Sequence, residues 1–266
     1  MYEFQYHRAT SVADAAAKLA AATDGKLLAG GQTLIAAMKL RLAAPSDLVD
    51  LRAIPELRGV CPDGDAVVIG ATTTHAEVAA SPEVRARIPA LAALAEGIGD
   101  PMVRNAGTLG GSVANNDPAA DYPAALLALG ATVITHKRHI AAADFFTGMY
   151  ETALEPGEIL MAVSFPAPKR AGYAKFPNPA SRYAIAGVFV AETAAGVRVA
   201  VTGAGPGVFR VPAMEQALEK RFAPESLAGL TVSASDLSGD MHASAEYRAH
   251  LVGVMATRAV RVALGG

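Results

Sequence analysis

The chain has 266 residues, of which 52% are hydrophobic and 18% are charged, and its formal net charge is −2. This composition is typical of a compact globular protein with two or three subdomains and excludes a largely disordered chain. Lysine and arginine are scattered without forming a basic stripe, which argues against nucleic acid as the principal ligand.

The cysteine content limits the redox chemistry that the chain can carry by itself. Its single cysteine, Cys61, cannot form an internal disulfide and cannot hold an iron–sulfur cluster, which needs several thiolates. The six histidines include no pair followed by acidic residues at metal-ligand spacing, so we expect no metal centre. The N-terminal residues show no secretory signal, and no apolar run approaches transmembrane length. We therefore expect a cytoplasmic protein without a transmembrane segment.

The first hundred residues are predicted to alternate helices and strands. Ser11 begins a capping box for a helix that runs to about Thr23. A strand at 26–29 is followed by the glycine pair Gly30-Gly31 and then by a helix from about 33 to 42. This order of strand, glycine loop and helix brings backbone N–H groups and a positive helix end near one point. Further elements are strands at 48–51 and 66–71 and a helix at about 82–97.

A second glycine pair, Gly110-Gly111, lies in a long segment, 99–122, that is dominated by Gly, Asn, Asp and Pro. We expect this segment to be one long ordered loop, because structureless connections above ~12–15 residues are uncommon in compact domains and are often functional. Glycine lacks a Cβ, so each pair lets backbone N–H groups approach a ligand closely. Two such loops, about eighty residues apart, predict one extended phosphate-bearing cofactor bound at two places.

The remainder of the chain is predicted to form further strands and helices. A hairpin turn is expected at 136–139, a linker at 166–170, and a turn at 194–196 between two long strands. The predicted strands are 131–135, 159–165, 184–192 and 197–202, and the predicted helices are 124–129, 212–220 and 242–262. Cys61 precedes a proline and is expected in a surface turn.

Several polar residues are candidates for binding, each with a structural alternative. Asp117 and Asp121 stand four apart before a helix, where a carboxylate either accepts hydrogen bonds from ribose or ribityl hydroxyls or caps the helix. Arg104, the only cation in the long segment, either pairs with phosphate or bonds loop carbonyls. Lys175 and Tyr183 follow the linker, where a second domain could cover a cofactor, although core packing is the usual role of such a tyrosine. No arrangement of nucleophile and base appears, so bound cofactor chemistry must carry any catalysis.

The two glycine loops and their surroundings resemble the FAD-binding medium subunit of molybdenum hydroxylases. This family includes carbon monoxide dehydrogenase, the FAD domain of xanthine dehydrogenase, and related aldehyde and N-heterocycle oxidoreductases. The resemblance covers essentially the whole chain and rests on the strings at 29–33, 38–42, 48–51, 99–112, 117–121, 145–148 and 154–160.

The resemblance implies an α+β fold with FAD as the cofactor. Two N-terminal α/β subdomains, of the PCMH-type FAD-binding fold, would occupy residues 1–57 and 58–171. A C-terminal sheet-and-helix flavoprotein domain would occupy residues 172–266 and close over the flavin.

The resemblance also implies which residues bind the cofactor. The two glycine loops would hold the FAD diphosphate and adjoining groups, and Asp121 would bind cofactor hydroxyls. Leu160 would lie along the adenine, and Tyr183 near the isoalloxazine with Lys175 in the same region. The loop residues are Ala29, Gly30, Gly31, Gln32, Thr33, Thr108, Leu109, Gly110, Gly111 and Ser112. Some family members have His-Ser where this chain has Gln32-Thr33, which keeps the hydroxyl but replaces a titratable side chain with a neutral amide.

By the same resemblance, the chain would be an electron-transfer subunit of a larger complex. It would take electrons from a small [2Fe-2S] subunit and pass them to an external acceptor, while a large subunit with the molybdenum cofactor oxidises the substrate. The assembly would be a heterotrimer or its dimer. A stand-alone FAD-dependent reductase and a non-catalytic assembly subunit are the alternatives. The oxidised substrate and the electron acceptor stay open at this point.

Overall fold

The computed structural model describes residues 1–265 and contains both helices and strands, so the predicted α+β class is confirmed. Three sheets follow one another along the chain, and a small two-stranded hairpin accompanies the second. No helix within residues 1–265 combines the length and the apolar character that crossing a membrane requires.

The first sheet is parallel, with β3 between its two neighbours. Ser11 caps the first helix by accepting a hydrogen bond from the backbone N–H of Asp14. The elements are β1 (Gln5–Arg8), α1 (Val12–Ala21), β2 (Gly25–Leu28), α2 (Leu34–Lys39) and β3 (Asp47–Asp50). The loop between β2 and α2 carries the first glycine pair, as predicted.

The second sheet is antiparallel, in the order β4-β5-β10-β6-β7. Its strands are β4 (Val60–Asp63), β5 (Ala66–Gly70), β6 (Thr132–Thr135), β7 (His139–Ala141) and β10 (Leu160–Pro166), and the small hairpin is β8 (Phe146–Gly148) with β9 (Glu151–Thr152). The helices are α3 (His75–Ala80), α4 (Pro82–Arg87), α5 (Pro89–Glu96), α6 (Pro101–Ala106), α7 (Leu109–Asn115), α8 (Tyr122–Leu129) and α9 (Ala142–Phe145). The predicted turn at 136–139 joins β6 to β7.

Two predictions for this part of the chain were wrong. The helix expected at 82–97 is divided at Ile88, because Pro89 disfavours helical geometry in the residue before it, and Ile88 has φ −138° and ψ 64°. The segment 99–122 is not structureless, because it contains α6 and α7. Both helices have side-chain caps, in which Asp100 accepts from the N–H of Val103 and Thr108 accepts from the N–H of Gly111.

Two further differences concern the strands. Cys61 lies exposed in strand β4 rather than in a turn. The expected linker at 166–170 is short, because β10 ends at Pro166 and the next strand, β11 (Arg170–Pro177), begins four residues later. Sequence reasoning missed β11, in which Gly172 interrupts the pattern of β-forming residues. A Cβ on Gly172 would lie 2.0 Å from the carbonyl oxygen of Ala259, so this glycine is required for close packing against the last helix.

The third sheet is antiparallel and has the order β11-β12-β13-β14. Its remaining strands are β12 (Ala184–Thr193), β13 (Gly196–Thr202) and β14 (Phe209–Arg210), followed by α10 (Pro212–Lys220) and α11 (Ala245–Ala263). Phe189, Ala191 and Ala200 of this sheet share a buried core with α8, while Val188 and Val199 pack with α11 in another. The sheet therefore lies between the two helices.

Bonds from the third sheet also fix the chain segment that precedes α8. The hydroxyl of Thr202 donates to the carbonyl of Ala120 at 2.6 Å, and the N–H of Gly203 donates to the carbonyl of Pro118 at 2.8 Å. These contacts hold residues 118–120 against the third sheet.

Candidate functional site

A cavity of about 700 Å³ lies where residues of the first two sheets and their loops meet the loop that precedes β12 in the third sheet. This volume falls within the roughly 300–1,000 Å³ that is usual for small-molecule and cofactor sites. Its walls come from segments 26–37, 71–75, 98–121, 154–160 and 181–183 and from Leu51. The two glycine loops therefore line one cavity, as the sequence predicted.

The first glycine loop supplies backbone hydrogen-bond donors. All five residues from Ala29 to Thr33 line the cavity. Within residues 1–265, the backbone N–H groups of 31–33 have no protein acceptor. Gly31 has φ +72°, a left-handed conformation that favours glycine. The loop thus presents donors that a ligand can use.

Gly30 lines the cavity and is also required for protein packing. A Cβ at this position would lie 2.3 Å from the carbonyl oxygen of Ala106 and 2.7 Å from the Cα of Gly107. Because these are backbone atoms, they cannot move aside cheaply. Gly30 therefore allows the first glycine loop to contact the turn between α6 and α7.

The second glycine loop forms the first turn of α7, and its amides bond within the protein. The N–H of Leu109 donates to Thr73 O at 3.0 Å, that of Gly110 to Ala71 O at 2.9 Å, and that of Gly111 to the hydroxyl of Thr108 at 3.1 Å. Thr108, Gly110, Gly111 and Ser112 line the cavity, whereas Leu109 is buried in the core and does not. The second loop can therefore offer side-chain hydroxyls, while the free backbone donors belong to the first loop.

The two loops face each other closely. A Cβ on Gly111 would lie 3.8 Å from the Cβ of Ala29. In contrast, a Cβ on Gly110 would lie 2.6 Å from the Cβ of Ala71, so Gly110 is required for packing against the residue after β5. Of the second pair, Gly111 is the glycine that faces the opposite loop.

Asp121 lines the cavity and is held by two residues of β11. Its side chain is 4% exposed, its Oδ1 accepts a hydrogen bond from the hydroxyl of Tyr173, and its Oδ2 accepts one from Lys175 Nζ at 3.2 Å. The Lys175 ammonium also forms an ion pair with Oδ1, at an N–O distance of 2.9 Å. Lys175 Nζ also donates to the carbonyl of Gly97 at 2.9 Å. Burial raises the pKa of Asp121, and the Lys175 ammonium opposes that rise. Lys175 itself does not line the cavity, so it reaches the site through Asp121.

The remaining predicted residues occupy the cavity wall and its neighbourhood. Leu160 and Tyr183 both line the cavity, and Tyr183 is 46% exposed. Arg104 donates to the carbonyls of Ile98 and Gly99 at 3.0 Å each. Of the two roles considered for it, pairing with phosphate or bonding loop carbonyls, these contacts correspond to the second. Asp117 also lines the cavity, and its carboxylate accepts from the backbone N–H of Ala119.

Sequence reasoning missed His75, which lines the cavity at the start of α3. Its side chain is buried, its Nδ1 has no hydrogen-bond partner, and its Nε2 would lie 2.7 Å from a Cβ on Gly107. Burial first, and the charge of Arg104 second, lower the pKa of His75 to about 4, so the ring is neutral at pH 7. The sequence feature that could have located His75 is the capping box of Thr74 and Glu77, which places residue 75 in the first turn of a helix.

The cavity suits a ligand with an anionic part and apolar parts. The unpaired N–H groups of 31–33 and the hydroxyls of Thr33 and Ser112 can donate to anionic oxygens, while Leu34 and Leu160 provide apolar wall. No group of three or more His, Cys, Asp or Glu side chains in residues 1–265 is arranged to bind a metal ion.

Two family models together match nearly the whole chain. One, described as an FAD binding domain in molybdopterin dehydrogenase, matches residues 2–168. The other, described as the CO dehydrogenase flavoprotein C-terminal domain, matches residues 171–263.

Individual relatives and solved structures agree with the family models. The chain is 36% identical to the carbon monoxide dehydrogenase medium chain of Hydrogenophaga pseudoflava, over 98% of this chain and 96% of that one. It is 38% identical to the nicotine 6-hydroxylase medium subunit of Paenarthrobacter nicotinovorans, over 96% and 95% of the two chains. Reconstituted CO dehydrogenase from Oligotropha carboxidovorans superposes with a TM-score of 0.91 at 35% identity, covering 99% of this chain and 98% of that chain.

Proposed function

This chain belongs to the family of FAD-binding medium subunits of molybdenum hydroxylases, and from that membership we propose that it transfers electrons between an iron–sulfur subunit and an external acceptor. It binds FAD and is an oxidoreductase subunit. Bound FAD supplies the redox chemistry of its isoalloxazine ring. The residues of the chain bind and orient this cofactor and control its exposure to water.

The proposed cofactor site is the cavity between the two glycine loops. The N–H groups of 31–33 and the hydroxyls of Thr33 and Ser112 would bind the diphosphate, with Ala29, Gly111 and Thr108 allowing the close approach. Asp121 would accept hydrogen bonds from cofactor hydroxyls, Leu160 would contact the adenine, and Tyr183 would lie near the isoalloxazine. The observation that carries this proposal is the meeting of both loops in one cavity, with unpaired backbone donors on the first.

The proposed partners are a small [2Fe-2S] subunit and a large molybdenum-cofactor subunit, in a heterotrimer or its dimer. The relatives that support this proposal are named as medium chains or medium subunits of dehydrogenases and hydroxylases. These relatives are named for different reactions, on carbon monoxide, nicotine and glyceraldehyde, although the medium chain of each is similar to this chain. We infer that the oxidised substrate is selected in another subunit.

We propose that the division into subdomains falls at 1–57, 58–171 and 172–266. The first sheet spans 5–50, the second 60–166 and the third 170–210, so the first proposed boundary lies between two sheets and the second just inside β11. The third sheet would cover the flavin side of the cavity, where Tyr183 lies.

Substitutions of Ser112 test the proposed diphosphate site. Ser112→Asp introduces a carboxylate into the cavity wall, and Ser112→Asn is the matched control of equal size without the charge. Two like charges ~4 Å apart at an effective dielectric constant of ~20 repel by about 4 kcal/mol, which corresponds to about a thousandfold in affinity. We expect Ser112→Asp to weaken FAD binding at least a hundredfold in a fluorescence titration, and Ser112→Asn to weaken it less than tenfold.

The unfolding temperature of each FAD-free variant is measured beside its FAD affinity, to show whether the substitution has destabilised the fold. Equal FAD affinities for the two variants, with equal unfolding temperatures, would show that the diphosphate lies elsewhere. Native mass spectrometry of the purified assembly tests the partner proposal, and a complex without iron–sulfur or molybdenum subunits would refute it.

A further inference from the structure

The side chain of Tyr173 extends from the third sheet to the edge of the cofactor cavity without lining it. It projects from β11, is partly buried, and donates its hydroxyl hydrogen to Oδ1 of Asp121. Its ring stacks against Phe189 of β12, with centroids 6.0 Å apart. These contacts hold the hydroxyl group in one place.

Gly187 on β12 makes room for this hydroxyl. A Cβ on Gly187 would lie 2.6 Å from the hydroxyl oxygen of Tyr173. Any larger residue at 187 would therefore displace the hydroxyl from its position beside Asp121. The hydroxyl position is thus fixed by its own strand and by the neighbouring one.

Asp121 is the point at which β11 contacts the cavity. Its carboxylate accepts hydrogen bonds from the side chains of Tyr173 and Lys175 on β11, and the residue also forms part of the cavity wall. An ionised carboxylate has about four lone-pair sites, so it can accept a further hydrogen bond from a ligand while it keeps these two partners. A protonated carboxyl group in the same place would donate one hydrogen and accept less well.

We propose that Tyr173 is a positioning residue for FAD, which orients Asp121 and keeps it ionised so that the carboxylate accepts a hydrogen bond from a cofactor hydroxyl. This inference rests on the proposed FAD site. It makes cofactor binding depend on the third sheet, because the two partners of Asp121 both belong to β11. FAD binding and the docking of the third sheet against α8 therefore stabilise each other.

The charged and titratable groups that face Asp121 set its protonation. Lys175 favours the charged carboxylate through its own charge, and Tyr173 favours it through the hydrogen bond. Tyr122 on α8 and Tyr183 on the cavity wall also feel the Asp121 charge. Both remain neutral, because burial and Asp121 raise the pKa of Tyr122, while burial, Asp117 and Asp121 raise the pKa of Tyr183. Removing the Tyr173 hydroxyl leaves Lys175 and a backbone hydrogen bond to favour the charged form.

The test compares Tyr173→Phe with Tyr6→Phe in the full chain. Tyr6 donates its hydroxyl to Asp50 at 2.5 Å, and Asp50 is a buried carboxylate that also pairs with a cation, Arg52, outside the cavity. Both substitutions therefore remove the same kind of bond. FAD dissociation constants are measured by flavin fluorescence between pH 5 and pH 8.5, together with unfolding temperatures with and without FAD.

For Tyr173→Phe we expect an FAD dissociation constant about tenfold higher at pH 7.5, as for loss of one hydrogen bond to a charged group. The pH below which affinity declines should also move upward, because the carboxyl group loses a bond that favours its ionised form. Tyr6→Phe should leave both properties as in the unsubstituted chain. Gly187→Ala, which displaces the hydroxyl while keeping the tyrosine, should act in the same direction as Tyr173→Phe.

Two results would overturn the inference. The first is an FAD affinity and pH profile of Tyr173→Phe equal to those of the unsubstituted chain. The second is an equal fall in unfolding temperature with and without FAD and an unshifted pH profile, which would mean that Tyr173 only stabilises the fold. If Tyr173→Phe fails to fold, the same measurements of FAD affinity, pH profile and unfolding temperature on Gly187→Ala test the inference instead. Failure of the unsubstituted chain to bind FAD in this cavity would instead refute the proposed site.

Discussion

His75 should make the stability of the FAD-free chain sensitive to mild acid. Its pKa is lowered from 6.5 to about 4 in the folded protein, chiefly by burial. Below pH 6.5 the unfolded chain binds a proton at this residue and the folded chain does not, so the free energy of unfolding falls as the pH falls. The loss ends near pH 4, where the folded form also becomes protonated. Each pKa unit corresponds to about 1.4 kcal/mol, so the whole loss is about 3 kcal/mol.

The comparison of the unsubstituted chain with His75→Gln isolates this contribution. Glutamine is uncharged throughout this range, and the carboxyl groups that titrate in the same range are common to both proteins. We expect the stability difference between the two, measured by urea unfolding followed by circular dichroism, to change by about 3 kcal/mol in favour of His75→Gln from pH 7 to pH 4. A difference that stays constant within about 1 kcal/mol would mean that the imidazole gains a proton as readily in the folded chain as in the unfolded one.

Two further predictions concern packing and the buried ion pair. Gly30→Ala should lower the free energy of unfolding by about 1–3 kcal/mol, because the new Cβ would lie 2.3 Å from Ala106 O, whereas Gly207→Ala, with no atom within 4 Å of its Cβ, should have little effect. Equal urea midpoints for these two variants would contradict the assigned packing role. Lys175→Met should cost about 3–5 kcal/mol because Asp121 loses its cation in a buried site. Lys169→Met, which breaks an exposed pair with Glu192, should cost less than about 1 kcal/mol, and similar losses for both lysines would refute the distinction.

Local sequence signals predicted most of the elements and the position of the site. The strand and helix around Gly30-Gly31, the strand pair at 184–202 and the helix Pro212–Lys220 all lie close to their predicted places. Capping residues and periodic apolar residues act over a few positions, so a single chain segment carries enough information to place them. The same local view failed at 99–122, where Asp100 and Thr108 cap short helices within a segment rich in helix-breaking residues.

The roles within the site depended on contacts between distant segments. The sequence marked both glycine pairs as open backbone, but only the tertiary structure decided that Gly30 and Gly110 pack against Ala106 and Ala71. Likewise, the sequence placed Lys175 and Asp121 in the site, but not in contact with each other across 54 residues. Residue types and spacing along the chain determine which groups can bind a dinucleotide. Which of those groups remain free to do so depends on the hydrogen bonds and close packing that folding brings together.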